Sequence, residues 1–353
     1  MPLIFPPGPH PGAQTAFCAT CHLAGTGCML DLRGAPVGRR TTTFRIAQGN
    51  LIGCAFGDFV PGSVGDPDPS RTFAFYRGQA KANLLAAATI NFPAVNGMAA
   101  FQAADVQGQA WGKVAGDMYE ILEAAALWNA AAAWNEYMAT GVWPAASTLV
   151  PPPTAIPTPM RRVAIVKLPR GYDSTRLLTP EARATYQAFQ QALAADGMQL
   201  KLSSPDIVGL RIPHPAPDGY DQFLSSLPDL SPANLTKLQS AHLAIEGTIE
   251  GRDFLFAIAV KTSTRSDRLY QPLFEANVLK FIIGQVLRGS ALRFHVHMED
   301  FEGADVAGAY TAASLYSLMR GGTFARAVDH LYKAEGPRAT AQTILETLPS
   351  YAL

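Results

Sequence analysis

A layered α/β fold is predicted by three observations: short apolar runs of strand length, helical spacings of three and four between them, and the alternation of the two through the second half of the chain. The runs are Val163–Leu168, Ile207–Ile212, Phe254–Val260 and Leu292–Val296. The third is almost wholly apolar, as a central strand covered on both faces should be. The first helix spans Gln107 to Glu136, where Val114, Met118, Ile121, Leu122 and Ala125 recur at helical spacing. Its alanine-rich stretch, Ala124–Ala133, favours helix because alanine loses no side-chain entropy there. Pro180 opens a helix over Glu181–Ala194 in the first-turn role that proline tolerates. Leu235–Leu238 lies in another. Leu269–Leu287 reads as a helix, and further helices are predicted at Tyr310–Arg320, Thr323–Tyr332 and Thr340–Leu348. Residues 143–160, with Pro151-Pro152-Pro153, read as a connector rather than a domain linker.

The chain is long enough for one large core or a core with a smaller lobe: 353 residues, 48% of them hydrophobic. A charged fraction of only 16% argues against disorder. Lysine and arginine number 28, as do aspartate and glutamate, so the formal net charge is zero. That argues mildly against a protein that coats nucleic acid non-specifically, but leaves a specific DNA enzyme open, since charge distribution matters more than its sum. Between Lys261 and Arg293 there are six basic residues against two acidic ones. No apolar run reaches the roughly 18 residues of a membrane span. Residues Met1 to Gly12 are proline-rich and lack a basic segment followed by a hydrophobic one. The expectation is a cytoplasmic protein with reduced thiols and no membrane partner.

Four residues together suit metal-assisted phosphodiester hydrolysis. Asp206 starts one predicted strand just after a proline, and Lys261 ends another. Glu275 lies 14 residues later in the following helix, and Glu120 lies on the early long helix. Carboxylates bind Mg²⁺, a hard ion that prefers oxygen, and the ion stabilises charge on phosphate and lowers the pKa of an attacking water. A lysine beside the phosphate can orient that water and offset developing charge. Taken singly, each has a plainer reading, a strand-end turn for the Asp and a solvated helix face for the Glu residues. The run from Lys261 to Arg268 is more informative. Arg265 and Arg268 can each donate two hydrogen bonds to guanine, and Asp267 can accept from cytosine. The alternative is a polar loop with a local salt bridge and a helix cap.

Residues 259–278, AVKTSTRSDRLYQPLFEANV, form the strongest block of a likeness that also takes in 33–50, 113–121, 163–173, 203–208 and 310–318. In the order and separation of these blocks the chain resembles the CCGG-recognising restriction endonucleases, in particular their SgrAI-like branch. The resemblance implies a restriction-endonuclease-like core, a mixed central β-sheet flanked by helices. It implies that Asp206, Lys261, Glu275 and Glu120 are catalytic, with Asp206, Glu275 and Glu120 as ligands of Mg²⁺. Position 259, two before the lysine, is an alanine and cannot bind metal, which strengthens the case for Glu275 as the displaced ligand. Arg265, Asp267 and Arg268 would read the CCGG core. Lys113 would sit near the target bases, Arg40 would read flanking pairs, and Arg39 would touch phosphate. The products would carry 5′-phosphates, 3′-hydroxyls and four-base 5′ overhangs. The partners would be double-stranded DNA, a second copy of the chain in a homodimer, tetramer or higher assembly, and a host DNA methyltransferase. The implied organisation is an N-terminal region with the flank-contacting segment (1–105), a catalytic core (106–335) and a C-terminal helix (336–353).

Other features are set beside this reading. Cys18-Ala-Thr-Cys21-His22 matches the haem-attachment pattern without an export segment. With Cys28 and Cys54 nearby, a structural Zn²⁺ on Cys18, Cys21 and Cys28 stands against unligated thiols. His295 and His297 alternate on a predicted strand as either a metal pair or, more simply, polar strand-edge residues. Trp111, Trp128, Trp134 and Trp143 show no regular spacing and read as helix packing. A repair or transposition nuclease with the same core, or a DNA binder without catalysis, are the competing functions. A metabolic nucleotide enzyme is disfavoured because no glycine-rich fingerprint joins a strand to a helix.

Overall fold

The computed structural model describes residues 31–33, 43–45, 71–78, 81, 108–144, 151–200, 204–228, 230, 232–262, 266–289, 291–299, 301, 305–320 and 324–351. The chain divides into two compact units. One comprises Met1–Gly62, Ser70–Leu122 and Leu227–Lys237; the other comprises Ser63–Pro69, Glu123–Ser226 and Leu238–Leu353.

In the first unit, β1 (Asp31–Arg33) pairs antiparallel with β2 (Thr43–Arg45), Leu32 facing Phe44. A helical segment at 73–78 buries Phe73 and Tyr76, and the Phe73 ring meets Tyr119 edge-on at 4.8 Å.

The second unit is built on a five-stranded sheet in the order β3-β4-β5-β6-β7: Val163–Lys167, Ile207–Arg211, Phe254–Lys261, Arg293–Met298 and His330–Lys333. β4 runs antiparallel to both β3 and β5; β5, β6 and β7 run parallel to one another. This is the mixed sheet expected. All eight residues of β5 are buried, which is why its sequence is nearly uninterrupted apolar. Parallel neighbours need a crossover, and between β5 and β6 it is helix Ser266–Phe281, which contacts β6.

Helix α1 (Gly108–Thr140) carries the alanine stretch, and from Met118 to Trp134 nearly every side chain is buried. Small residues let the backbone of such a helix approach its neighbours on several sides. Asn135 ties α1 to the edge of the sheet, accepting from Val163 N at 2.7 Å and donating to Val163 O at 2.8 Å. That pairs both polar groups of an edge residue that, among the described residues, has no strand on its outer side. Trp128 and Trp134 are buried in this packing, their indole N–H groups donating to Ser225 O and Arg161 O. The helices α2 (Pro180–Ala195) and α3 (Pro232–Ser240) follow, then α4 (Ser266–Phe281), α5 (Val306–Ala309), α6 (Leu315–Arg320) and α7 (Pro337–Thr347).

Three expectations need correction. The segment Thr323–Tyr332 is not a helix: residues 324–329 are irregular and His330 begins strand β7. Its backbone groups pair with β6 from His295↔His330 to Met298↔Lys333, satisfying a sheet edge that local periodicity cannot reveal. The span Tyr310–Arg320 is also not one helix. α5 ends at Ala309, and Ala313 bridges to Arg326 before α6 starts at Leu315. Nor do His295 and His297 lie at an edge. Both are fully buried on β6, which has a strand on either side. The predicted helix Leu269–Leu287 is present, but its last turn, Ile282–Val286, widens into a π-helix. The proline-rich connector starts and ends within the second unit.

Candidate active site

The site forms where β4 starts and β5 ends. These strands are antiparallel, so the N-terminus of one and the C-terminus of the other meet at the same end of the sheet. Asp206 is held from both sides. Its N–H donates to Ile258 O at 3.1 Å, and its carbonyl accepts from Leu168 N at 2.9 Å. Pro205 before it has no N–H to continue the ladder. The Asp206 side chain takes over: Oδ2 accepts from Val260 N at 2.7 Å and from Lys261 Nζ at 3.2 Å. A carboxylate held by a backbone amide and an ammonium keeps one orientation. Asp206 Oδ1 makes no hydrogen bond among the described residues, and the side chain is 27% exposed, so an oxygen is open to a ligand.

Lys261 is buried at 7% exposure, unusual for lysine, and its partner across the strand pair is Met298 of β6. By strand alternation it shares a face with Ala257 and Ala259. Ala259 is fully buried and its methyl group supplies no ligand atom.

Glu275 lies on α4 and is buried at 3% exposure. Gln271, one turn earlier, donates Nε2 to Glu275 Oε1 at 2.7 Å. The helix is fastened on its far side. Asn277 Oδ1 accepts from Leu315 N at 2.7 Å, and Lys280 Nζ reaches Asp329 Oδ2 at 2.6 Å and Arg326 O at 2.8 Å. Burial lowers the Lys280 pKa, and the Asp329 charge works against that shift. Tyr310 is buried with its pKa raised, first by burial and then by the negative charge of Glu275, which keeps the phenol protonated beside that carboxylate.

A second polar cluster lies on the other face of the sheet. Glu123 of α1 is fully buried; its Oε2 meets His297 Nδ1 at 3.2 Å and its Oε1 accepts from Thr340 Oγ1 of α7 at 3.0 Å. His295 stacks on Phe256 at 5.4 Å, and its Nε2 meets Tyr351 Oη at 2.8 Å. Burial holds the His295 pKa well below the ordinary imidazole value, with His297 and His330 adding to the shift. In the sequence Glu123 shows only as a glutamate inside a largely apolar helical stretch, and Thr340 carries no signature.

The structure thus brings Asp206 and Lys261 into contact and places Glu275, buried, on the helix that follows the lysine strand. Glu120 is half-buried on α1, in the first unit. Lys113 is on the same helix, and Asp267 and Arg268 stand in the first turn of α4. Arg39, Arg40, Arg265 and the cysteines Cys18, Cys21, Cys28 and Cys54 lie outside the described residues. Among the described residues no three His, Cys, Asp or Glu side chains cluster as a ready metal cage. The donor set at the site still fits a magnesium-type ion: Asp206 offers a partly exposed hard oxygen, and Mg²⁺ is bound through one or two carboxylates, keeping waters and taking phosphate oxygens for the rest. No helix among the described residues is long and apolar enough to cross a membrane.

Residues 97–347 match the family model described as Cfr10I/Bse634I restriction endonuclease. This segment contains Glu120, Asp206, Lys261, Arg265, Asp267, Arg268 and Glu275, but not Arg39 or Arg40. Two solved structures share the fold. The crystal structure of the Type IIF restriction endonuclease Bse634I with cognate DNA has a TM-score of 0.61 and 14% identity, covering 86% of this chain and 91% of that one. A second Bse634I restriction endonuclease structure has a TM-score of 0.61 and 14% identity, covering 84% and 90%. No curated protein matches the chain.

Proposed function

Because the chain belongs to the Cfr10I/Bse634I restriction endonuclease family, we propose that it is a type II restriction endonuclease that hydrolyses double-stranded DNA with Mg²⁺ at a palindromic site with a CCGG core. The observation that carries this reading is the contact of Lys261 Nζ with Asp206 Oδ2 at 3.2 Å, at the strand ends of the sheet, within the family-matched segment. A buried lysine held against a carboxylate with an open oxygen suits phosphodiester hydrolysis, and so favours a nuclease over a protein that merely binds DNA.

Asp206 and Glu275, with Glu120, would hold the ion. Bound Mg²⁺ would neutralise charge on the scissile phosphate and make an attacking water more acidic. Asp206 keeps its ligand oxygen aimed because its other oxygen is tied to Val260 N and Lys261. Lys261 orients the water and offsets charge on the phosphate as it builds. The water oxygen joins phosphorus as the bond to O3′ breaks, leaving a 5′-phosphate and a 3′-hydroxyl. Arg265, Asp267 and Arg268 follow Lys261 closely in sequence. Their side-chain chemistry suits guanine and cytosine edges, which supports the CCGG core. Arg40 would read pairs beyond the core, Arg39 would hold phosphate, and Lys113 would approach the target bases. A palindrome cut in both strands calls for two copies of a chain that carries one centre, so the assembly is a homodimer or a larger symmetric oligomer. A DNA methyltransferase would protect the host's own sites. Any zinc on Cys18, Cys21 and Cys28 would be structural and separate from the chemistry.

The test is to digest a randomised DNA library with the purified protein and Mg²⁺ and to sequence the ends. The expected result is ends with four-base 5′ overhangs, CCGG enriched at every cut, and further enrichment in the flanks. EDTA should abolish the ends. Cuts that follow DNA structure rather than sequence would sink the restriction reading in favour of a repair nuclease. Full activity in EDTA after removal of retained metal would sink the metal mechanism.

The two sets of arginines should separate in the same assay. Arg268→Ala is expected to weaken core discrimination by about 1–3 kcal/mol, the worth of a good bidentate contact. Arg40→Ala should relax the flanks and leave the core requirement. Salt must be held constant, because phosphate contacts make affinity steeply salt-dependent. A uniform loss across all sequences for either variant would make that residue a backbone anchor.

A further inference from the structure

A ligand carboxylate does its work only if its rotamer is held, and hydrogen bonds from residues outside the ligand set usually do this. Glu275 is buried at 3% exposure, and Gln271 Nε2 donates to its Oε1 at 2.7 Å. The four-residue spacing puts both side chains on one face of α4. Gln271 itself is exposed. An amide–carboxylate pair between two exposed residues at this spacing adds only about 0.2–0.5 kcal/mol to a helix. Here one partner is buried, so the bond's main consequence is to fix the carboxylate rather than to support the helix. The surrounding packing points the same way. Tyr310 near Glu275 is buried, and its hydroxyl makes no hydrogen bond among the described residues. The helix under Glu275 is pinned by Asn277 and Lys280. The backbone is thereby set, and the bond from Gln271 acts on the side chain of Glu275.

We infer that Gln271 is a positioning residue of the hydrolytic centre, holding Glu275 Oε1 so that the carboxylate meets a divalent cation in one orientation. The inference rests on the reading of Glu275 as a metal ligand. It goes beyond that reading by assigning a role to a neutral side chain outside the acidic and basic set.

The experiment compares the full chain with Gln271→Met, which keeps length and removes the donor, and with Glu275→Gln. Two quantities are read: binding of Mn²⁺ alone, from the paramagnetic resonance signal of the free ion, and the Mg²⁺ concentration at half-maximal plasmid cleavage. Gln271→Met should weaken Mn²⁺ binding and raise the Mg²⁺ half-saturation by about tenfold or more, the usual effect of losing such a partner. Its thermal midpoint should stay at the parent value, since Gln271 is exposed. Unchanged Mn²⁺ binding and Mg²⁺ half-saturation in Gln271→Met, with Mn²⁺ binding and cleavage lost in Glu275→Gln, would overturn the inference and leave the reading of Glu275 standing. Parent-like Mn²⁺ binding and cleavage in Glu275→Gln would overturn both.

Discussion

Lys261→Ala is expected to lower the rate of DNA cleavage by about a hundred- to a thousandfold, the usual cost of deleting a preorganised donor aimed at developing charge. The lysine is buried at the end of β5 with its ammonium 3.2 Å from Asp206. Asp206 keeps its bond from Val260 N in the variant, and its side chain is partly exposed. The carboxylate is therefore not stranded without partners, and the fold should survive. DNA affinity measured with Ca²⁺ should stay near the parent value, because one site ammonium is a small part of a phosphate interface. Single-turnover cleavage of plasmid DNA at saturating Mg²⁺ checks the first point, and a melting curve checks the second. Near-parent cleavage by Lys261→Ala would remove the lysine from the chemistry altogether. Loss of cleavage together with loss of folding would make it a structural residue instead.

Glu123→Ala should lower stability by about 2–6 kcal/mol, because it leaves two buried polar groups without their partner at roughly 1–3 kcal/mol each. The carboxylate serves two elements at once, His297 of β6 and Thr340 of α7, and all three residues are buried. Without it the imidazole Nδ1 and the threonine hydroxyl lose their partner inside a core that water does not reach, and a cavity opens beside them. Typical domains hold only about 5–15 kcal/mol in total, so the urea midpoint should fall sharply. Glu123→Gln keeps the shape and one acceptor oxygen, and should cost less, about 1–3 kcal/mol. A double-mutant cycle with His297→Ala isolates the pair. A parent-like urea midpoint for Glu123→Ala would mean that the contact contributes nothing net.

The parts of the site that were legible in the sequence are those with a local signature. Lys261 stood out because an apolar run ends on it, and Asp206 because a proline precedes it and an apolar run follows. Glu275 was legible from its spacing along the next helix and from the family likeness. Gln271 gave no sign, since an exposed glutamine four residues before a glutamate is commonplace until the glutamate is seen to be buried. The burial of His295 and His297 is not legible locally, because alternation fixes which residues share a face but not whether that face meets water or a helix.

The α/β class, the four strands β3 to β6 and the alanine-rich helix are all legible in the sequence. These follow from apolar runs and periodicities carried within a single segment. The tertiary structure alone decided that Asp206 and Lys261, 55 residues apart, share a hydrogen bond. It alone decided that Glu123 pairs with His297 across 174 residues, and that 330–333 closes the sheet as β7 rather than extending a helix. The physical reason is common to all three. Strand register, burial of a polar side chain and the satisfaction of a sheet edge depend on partners supplied by distant parts of the chain. A window of neighbouring residues carries no information about them.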